Sequence, residues 1–172
     1  MDYLTDAVSR LNIRELSLIF RNLFDVSPSE RFPVLEALEK FSSVFHNSFY
    51  EIVEDRELSP TVPAKCEIMD DGGFKIVIKE SVYKGAARDI GAYRDHIVHE
   101  MCHAFLYSVG LRPNFERAFT NKYPIYRSAE WQAKALCGEV MMPFDETNGM
   151  STRNIVKTFG VSWAQAKYRK KY

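Results

Sequence analysis

The stretch His99-Glu100-Met101-Cys102-His103, inside the longer run Ile90 to Gly110, constrains this chain more than any other. Two histidines four residues apart on an α-helix differ in direction by only about 40°, so both imidazoles leave one face and can converge on one ion. The flanks support a helix. Asp89 is placed to cap its start, Ile97, Val98, Met101, Ala104, Phe105 and Val109 supply bulk, Gly110 ends it and Pro113 prevents its return. The pentapeptide is the HExxH pattern, in which two imidazoles hold zinc and the glutamate acts as general base. A catalytic zinc takes three protein ligands, so the pattern needs a partner elsewhere in the chain.

No histidine follows His103. That excludes HExxHxxGxxH, whose glycine position is Leu106 and whose last histidine position is Val109, and it disfavours a Spartan-like protease, which needs further downstream histidines. A carboxylate is left as third ligand, and Glu116, Glu130, Glu139, Asp145 and Glu146 are available. Glu130 is preferred. Ser128 precedes a good helix from Ala129 to Met142, stopped by Pro143, and Glu130 at its start can face the first helix if the two lie antiparallel. Glu139 is the reserve.

At 172 residues the chain can bury a core as one domain without disulfides. Its 23 basic and 23 acidic residues argue against a global attraction to nucleic acid or an anionic membrane. Cys66, Cys102 and Cys137 are odd in number, widely spaced and without a CxxC pair, which reads as a reduced thiol set. Acids stand in the first six residues where a secretory signal carries bases, and no apolar run approaches membrane-spanning length, so a soluble cytoplasmic protein with no membrane partner is expected.

The rest of the chain reads as α+β. Apolar residues recur at helical spacing from Asp2 to Phe24, as one bent helix or two short ones, and Ser27 to Glu30 reads as the start of another helix running through His46. Tyr50 to Glu54 has a strand's composition, and Cys66 to Met69 and Phe74 to Lys79 flank Asp70-Asp71-Gly72-Gly73 as a hairpin. Glu80 to Ala87 reads as a short helix and Leu111 to Ser128 as a surface loop with at most one short turn. The expectation is a domain over 1–150, with helices over about 1–46, a small mostly antiparallel sheet over about 49–79 and the two ligand-bearing helices over about 89–143. The tail, 151–172, resembles a helix-turn-helix with six Lys or Arg and no acid. Its apolar seam of Ile155, Val156, Phe159, Val161 and Ala166 suits packing onto the domain, with nucleic-acid binding the alternative.

His99-Glu100-Met101-Cys102-His103 together with Glu130-Trp131-Gln132-Ala133-Lys134-Ala135-Leu136-Cys137-Gly138-Glu139-Val140-Met141-Met142-Pro143 resembles the ImmA/IrrE family of metallopeptidases, which pairs HExxH with an ExxAxxFAxxLLMP-like helix. The similarity extends from Tyr50 to Arg169 through the segments Tyr50 to Glu57, Ile76 to Tyr83 and Phe159 to Ser162. The departures are Leu136 and Cys137, where the family usually has Phe and Ala, and Met101-Cys102 in place of a small or leucine pair.

The resemblance implies a zincin-like core and a cytoplasmic bacterial or phage zinc endopeptidase that cuts a helix-turn-helix repressor and so derepresses its genes. By motif position it makes His99, His103 and Glu130 the ligands of Zn2+ and Glu100 the catalytic glutamate. Asp95 and Glu139 are candidates to accept a ligand's second N–H, and His96 reads as a helix-surface or supporting residue. Tyr107, Tyr123 and Tyr126 are unranked candidates to stabilise the oxyanion. The alternative is a non-proteolytic regulator or toxin/antitoxin component that binds DNA or a repressor through the tail.

Overall fold

The computed structural model describes residues 2–171. The chain opens with a two-residue strand, β1 (Tyr3–Leu4), and stays extended until α1 (Arg10–Leu23). The helix expected from Asp2 starts later because the Ser9 hydroxyl accepts the Asn12 N–H at 3.1 Å and fixes the cap there. The helix expected from Ser27 is also displaced. Buried Arg21 donates to the carbonyls of Ser27 and Glu30, which holds that segment as a turn. Pro33 then precedes α2 (Val34–Glu39), and a break at Lys40 separates it from α3 (Phe41–Val44).

β2 (Phe49–Val53), β3 (Ala64–Ile68) and β4 (Phe74–Lys79) form one sheet in the order β2-β4-β3. The hairpin brings β3 antiparallel to β4, with Ile68 opposite Phe74, while β2 runs parallel to β4 on its other side. The sheet is therefore mixed rather than mostly antiparallel. The connection after β2, which includes a 3-10 turn over Asp55–Glu57, carries the chain past β4 to the opposite edge. Central β4 buries Phe74, Ile76 and Ile78 on one face and Val77 on the other, as a strand covered on both faces should.

α4 (Glu80–Ala87) leads to the central helix α5 (Gly91–Ser108). Asp89 does not cap α5. It takes a left-handed backbone, φ 65°, and its carboxylate meets Arg31. Ile97, Val98, Met101, Cys102, Ala104 and Phe105 are all buried, so α5 is enclosed on most sides by the sheet, α4, α2 and the next long helix. Phe20 of α1 meets Phe105 edge-on at 5.4 Å.

The expected loop from Leu111 to Ser128 contains β5 (Asn114–Ala118), paired antiparallel with β1, and a 3-10 turn over Ile125–Arg127. Its strand partner lies more than a hundred residues away, so no local period announces it. α6 (Ala129–Met141) and α7 (Phe144–Thr147) follow.

The tail is α8 (Thr152–Phe159) and α9 (Trp163–Arg169), joined through Gly160 in the left-handed conformation. Ile155, Phe159, Val161 and Ala166 join the same core cluster as α5, and buried Arg94 of α5 donates to the carbonyls of Gly160 at 2.6 Å and Phe32 at 2.6 Å. Among the described residues no helix is long and apolar enough to cross a membrane.

Candidate metal centre

α5 and α6 pack side by side and bring three side chains to one point. His99 Nε2 lies 3.1 Å from His103 Nε2, 3.2 Å separate His99 Nε2 from Glu130 Oε1, and 3.3 Å separate His103 Nε2 from Glu130 Oε2. A tetrahedral ion with ligand bonds of about 2.0–2.1 Å holds its ligand atoms roughly 3.3 Å apart. The three donors therefore already stand at the spacing of a single coordination sphere, and the cluster could hold a metal ion. Among the described residues it is the one such group of His, Cys, Asp or Glu side chains.

Local sequence explains the placement. His99 and His103 share a face of a helix that Ile97, Val98, Met101, Cys102, Ala104 and Phe105 lock into the core. Glu130 stands in the first turn of α6, where the Ser128 hydroxyl accepts the Trp131 N–H at 2.8 Å. The Asp2 carboxylate adds a second cap, accepting the Glu130 N–H at 3.1 Å and the Ser128 hydroxyl at 2.6 Å. Nothing in the sequence around Asp2 signals this role.

Charge follows geometry. Hydrogen bonds from His103 and His99 hold the Glu130 carboxyl well below the usual carboxylate range. Burial alone would push the His99 imidazole down, but its hydrogen bond to Glu130 and the nearby carboxylates of Glu100, Glu130 and Asp95 outweigh it and raise the pKa. The Glu100 carboxyl is raised by burial, partly offset by the two histidines and by the backbone N–H of Cys66 on β3. Glu100 thus sits beside the cluster with a proton affinity lifted above that of an ordinary glutamate.

His99, Glu100, His103 and Glu130 line a cleft of about 380 Å3, with Lys65 and Cys66 on one wall and Tyr107 and Phe115 on others. Tyr3 meets Phe115 edge-on at 5.1 Å, so β1 and β5 together form part of the rim. Of the three tyrosine candidates only Tyr107 lines this cleft. The Tyr123 hydroxyl accepts from Arg117 at 3.2 Å and the Tyr126 side chain is exposed.

The supporting candidates are placed differently. Asp95 Oδ1 accepts the Cys137 S–H at 3.2 Å rather than an imidazole N–H. Glu139 is buried and paired with Arg169 at 2.8 Å and Arg14 at 3.4 Å, far from the role of reserve ligand. His96 is half-buried outside the cluster, and burial lowers its pKa. Cys102 is buried in the core. The same pairing commits the charge of Arg169, one of the tail's six basic residues, to the protein interior. No family model matches this chain and no curated protein matches it, so the metal centre stands on its own geometry.

Proposed function

We propose that the chain is a zincin-like, zinc-dependent endopeptidase whose substrate is a helix-turn-helix repressor, as in the ImmA/IrrE family that its motifs resemble. The observation that carries this reading is the convergence of His99, His103 and Glu130 at ligand spacing beside a half-buried Glu100 in an open cleft. Two imidazoles and one carboxylate suit zinc with a position left open. Such an ion, when bound, acidifies water and polarises a peptide carbonyl.

The same donor set serves iron(II) in oxygenases, and Glu100 favours the hydrolytic reading. Attack by water needs a base at the metal's edge, and Glu100 is adjacent to His99 on α5, with its carboxylate oriented by the Cys66 N–H and its pKa raised by burial. It takes the proton from water and delivers it to the leaving amine. Glu130 and the two histidines hold their places throughout. Tyr107, the tyrosine in the cleft, is the residue that fits beside the developing oxyanion.

Metal analysis of the purified chain and co-expression with a candidate helix-turn-helix repressor test the reading. About one zinc per chain is expected, with chelator-sensitive shortening of the repressor. Glu100→Gln should keep the zinc and stop the cleavage. Zinc-free protein, or a Glu100→Gln protein that cuts at the original rate, overturns the assignment.

A further inference from the structure

The six bases of the tail stand without an acid between Ser151 and Tyr172, in a chain whose 23 bases and 23 acids cancel overall, so the tail is the positive end of a molecule whose remainder is net negative. The fold spends only one of the six. Arg169 is buried against Glu139, while Arg153, Lys157, Lys167, Lys170 and Lys171 are exposed and, among the described residues, in no ion pair. On α8, Arg153 and Lys157 lie one turn apart on the side opposite buried Ile155 and Phe159. On α9, Trp163, Lys167 and, at the C-cap, Lys170 project within about 60° of one another, with Trp163 51% exposed and Ala166 and Arg169 turned inward. The turn between the two helices is fixed. Gly160 takes φ 63°, buried Arg94 holds its carbonyl, and a Cβ there would run into the guanidiniums of Arg31 and Arg94.

We infer that α8 and α9 form a docking surface for duplex DNA, with α9 seated in the major groove and the bases of α8 on the phosphate backbone. Two helices joined by the short turn Gly160 to Ser162, the second with its outer face in solvent, are the arrangement that enters a groove about 12 Å wide. The charges complement a polyphosphate, because the five exposed bases are spent on no partner inside the protein. Trp163 stands among them, an exposed ring that can lie against a sugar or a thymine methyl. An acidic protein surface would accept the same charges, but it calls for no projecting helix and gives Trp163 no groove to enter, so the duplex is the better fit. Contacts of this kind fall mostly on the backbone, and the affinity is electrostatic and largely indifferent to sequence. The surface contains none of the metal ligands, and it stands apart from the proposed protease reading.

Fluorescence anisotropy of a short labelled duplex, titrated with the full chain in chelator and again with zinc, tests the surface. The dissociation constant should be about 1–100 μM near physiological salt, the same with and without zinc, and binding should weaken about a hundredfold between roughly 50 and 200 mM salt. Lys157→Gln and Lys167→Gln together should reduce the slope of log affinity against log salt by about two, with melting temperature and zinc uptake unmoved. In a Trp131→Phe chain, where Trp163 is the sole tryptophan, its emission should change as the duplex binds. Absence of binding at about 100 μM protein in the low-salt buffer, a salt slope unaltered in the double variant, or a Trp163 emission indifferent to the duplex overturns the inference. Poly-glutamate that binds more tightly than the duplex overturns it as well, in favour of an acidic protein partner. Zinc content and repressor cleavage bear on the metal centre alone, so either reading can fail without the other.

Discussion

The Asp2 carboxylate accepts the backbone N–H of Glu130 at 3.1 Å, so a residue at the start of the chain helps place the carboxylate that faces His99 and His103. The extended segment behind it is stitched along the approach to α6: Thr5 N–H to the Arg127 carbonyl at 3.0 Å, Leu4 bridged to Ser128, and the Gln132 amide to the Asp6 carbonyl at 2.7 Å. Asp2→Ala removes one cap of α6 and should lower stability by about 1 kcal/mol, the usual cost of a lost N-cap. Zinc affinity should fall several-fold at temperatures well below melting, and Asp2→Asn, which keeps an acceptor oxygen, should restore most of it. Competition titration against a chromogenic chelator gives the affinity; a change in melting temperature with unaltered affinity would leave Asp2 a structural cap only.

Glu139 and Arg169 form a buried ion pair that ties α9 to α6, and both side chains are more than nine-tenths buried. Removing one partner leaves the other charge unpaired in the interior, at a cost of about 3–5 kcal/mol. For a chain of this size Glu139→Ala should lower the melting temperature by roughly 10 °C. It should leave zinc stoichiometry unchanged, because the carboxylate is spent on Arg169 and Arg14. Loss of zinc from a folded Glu139→Ala protein would return Glu139 to the list of ligands.

The parts of the fold that read correctly from sequence are those whose cause is local. The HExxH helix, the Asp70-Asp71-Gly72-Gly73 hairpin and the Ser128-capped helix each carry their own period and their own stop signal. What misled was long-range. The apolar residues Leu4 and Val8 fit a helical period, yet they are buried from an extended segment whose partners are Ser128 and Tyr126. The Ser27 to Glu30 helix start was undone by the guanidinium of Arg21, and parallel pairing of β2 with β4 has no signature within either strand. The grouping of His99, His103 and Glu130, which could hold a metal ion, was legible because ligand chemistry restricts residue type and spacing. Asp2 and the Cys66 N–H were not, since each depends on which elements the fold sets side by side.

Cys66 lines the cleft but should behave as a spectator there. Burial, aided by the charges of Glu100 and Glu67, pushes its thiol pKa up, and a protonated thiol is a poor nucleophile. Cys102 and Cys137 are buried. Iodoacetamide at neutral pH should therefore leave all three thiols unmodified in the native protein and alkylate them in denaturant, as intact-mass spectrometry reads directly. Rapid native alkylation of Cys66 would show that the cleft opens further than its walls suggest.

The His99–Glu130 contact makes two opposed predictions about pH. In the metal-free chain the His99 pKa is raised above its ordinary 6.5, so its contribution to stability is complete below that value and is lost as pH rises through the raised one. Glu130 is held below its ordinary 4.5, so its contribution is present above 4.5 and is lost only as pH falls beneath that range. Both contributions are in force between these limits, and in the metal-free chain the stability lost on His99→Gln should be larger near pH 6 than near pH 8. Zinc reverses the trend, because it needs a neutral imidazole and must displace the proton that Glu130 stabilises. The rise in melting temperature on adding zinc should accordingly be small near pH 6 and grow toward pH 8. Calorimetric scans with and without zinc across this interval measure both trends, and a zinc-induced rise independent of pH would mean that His99 is not among the ligands.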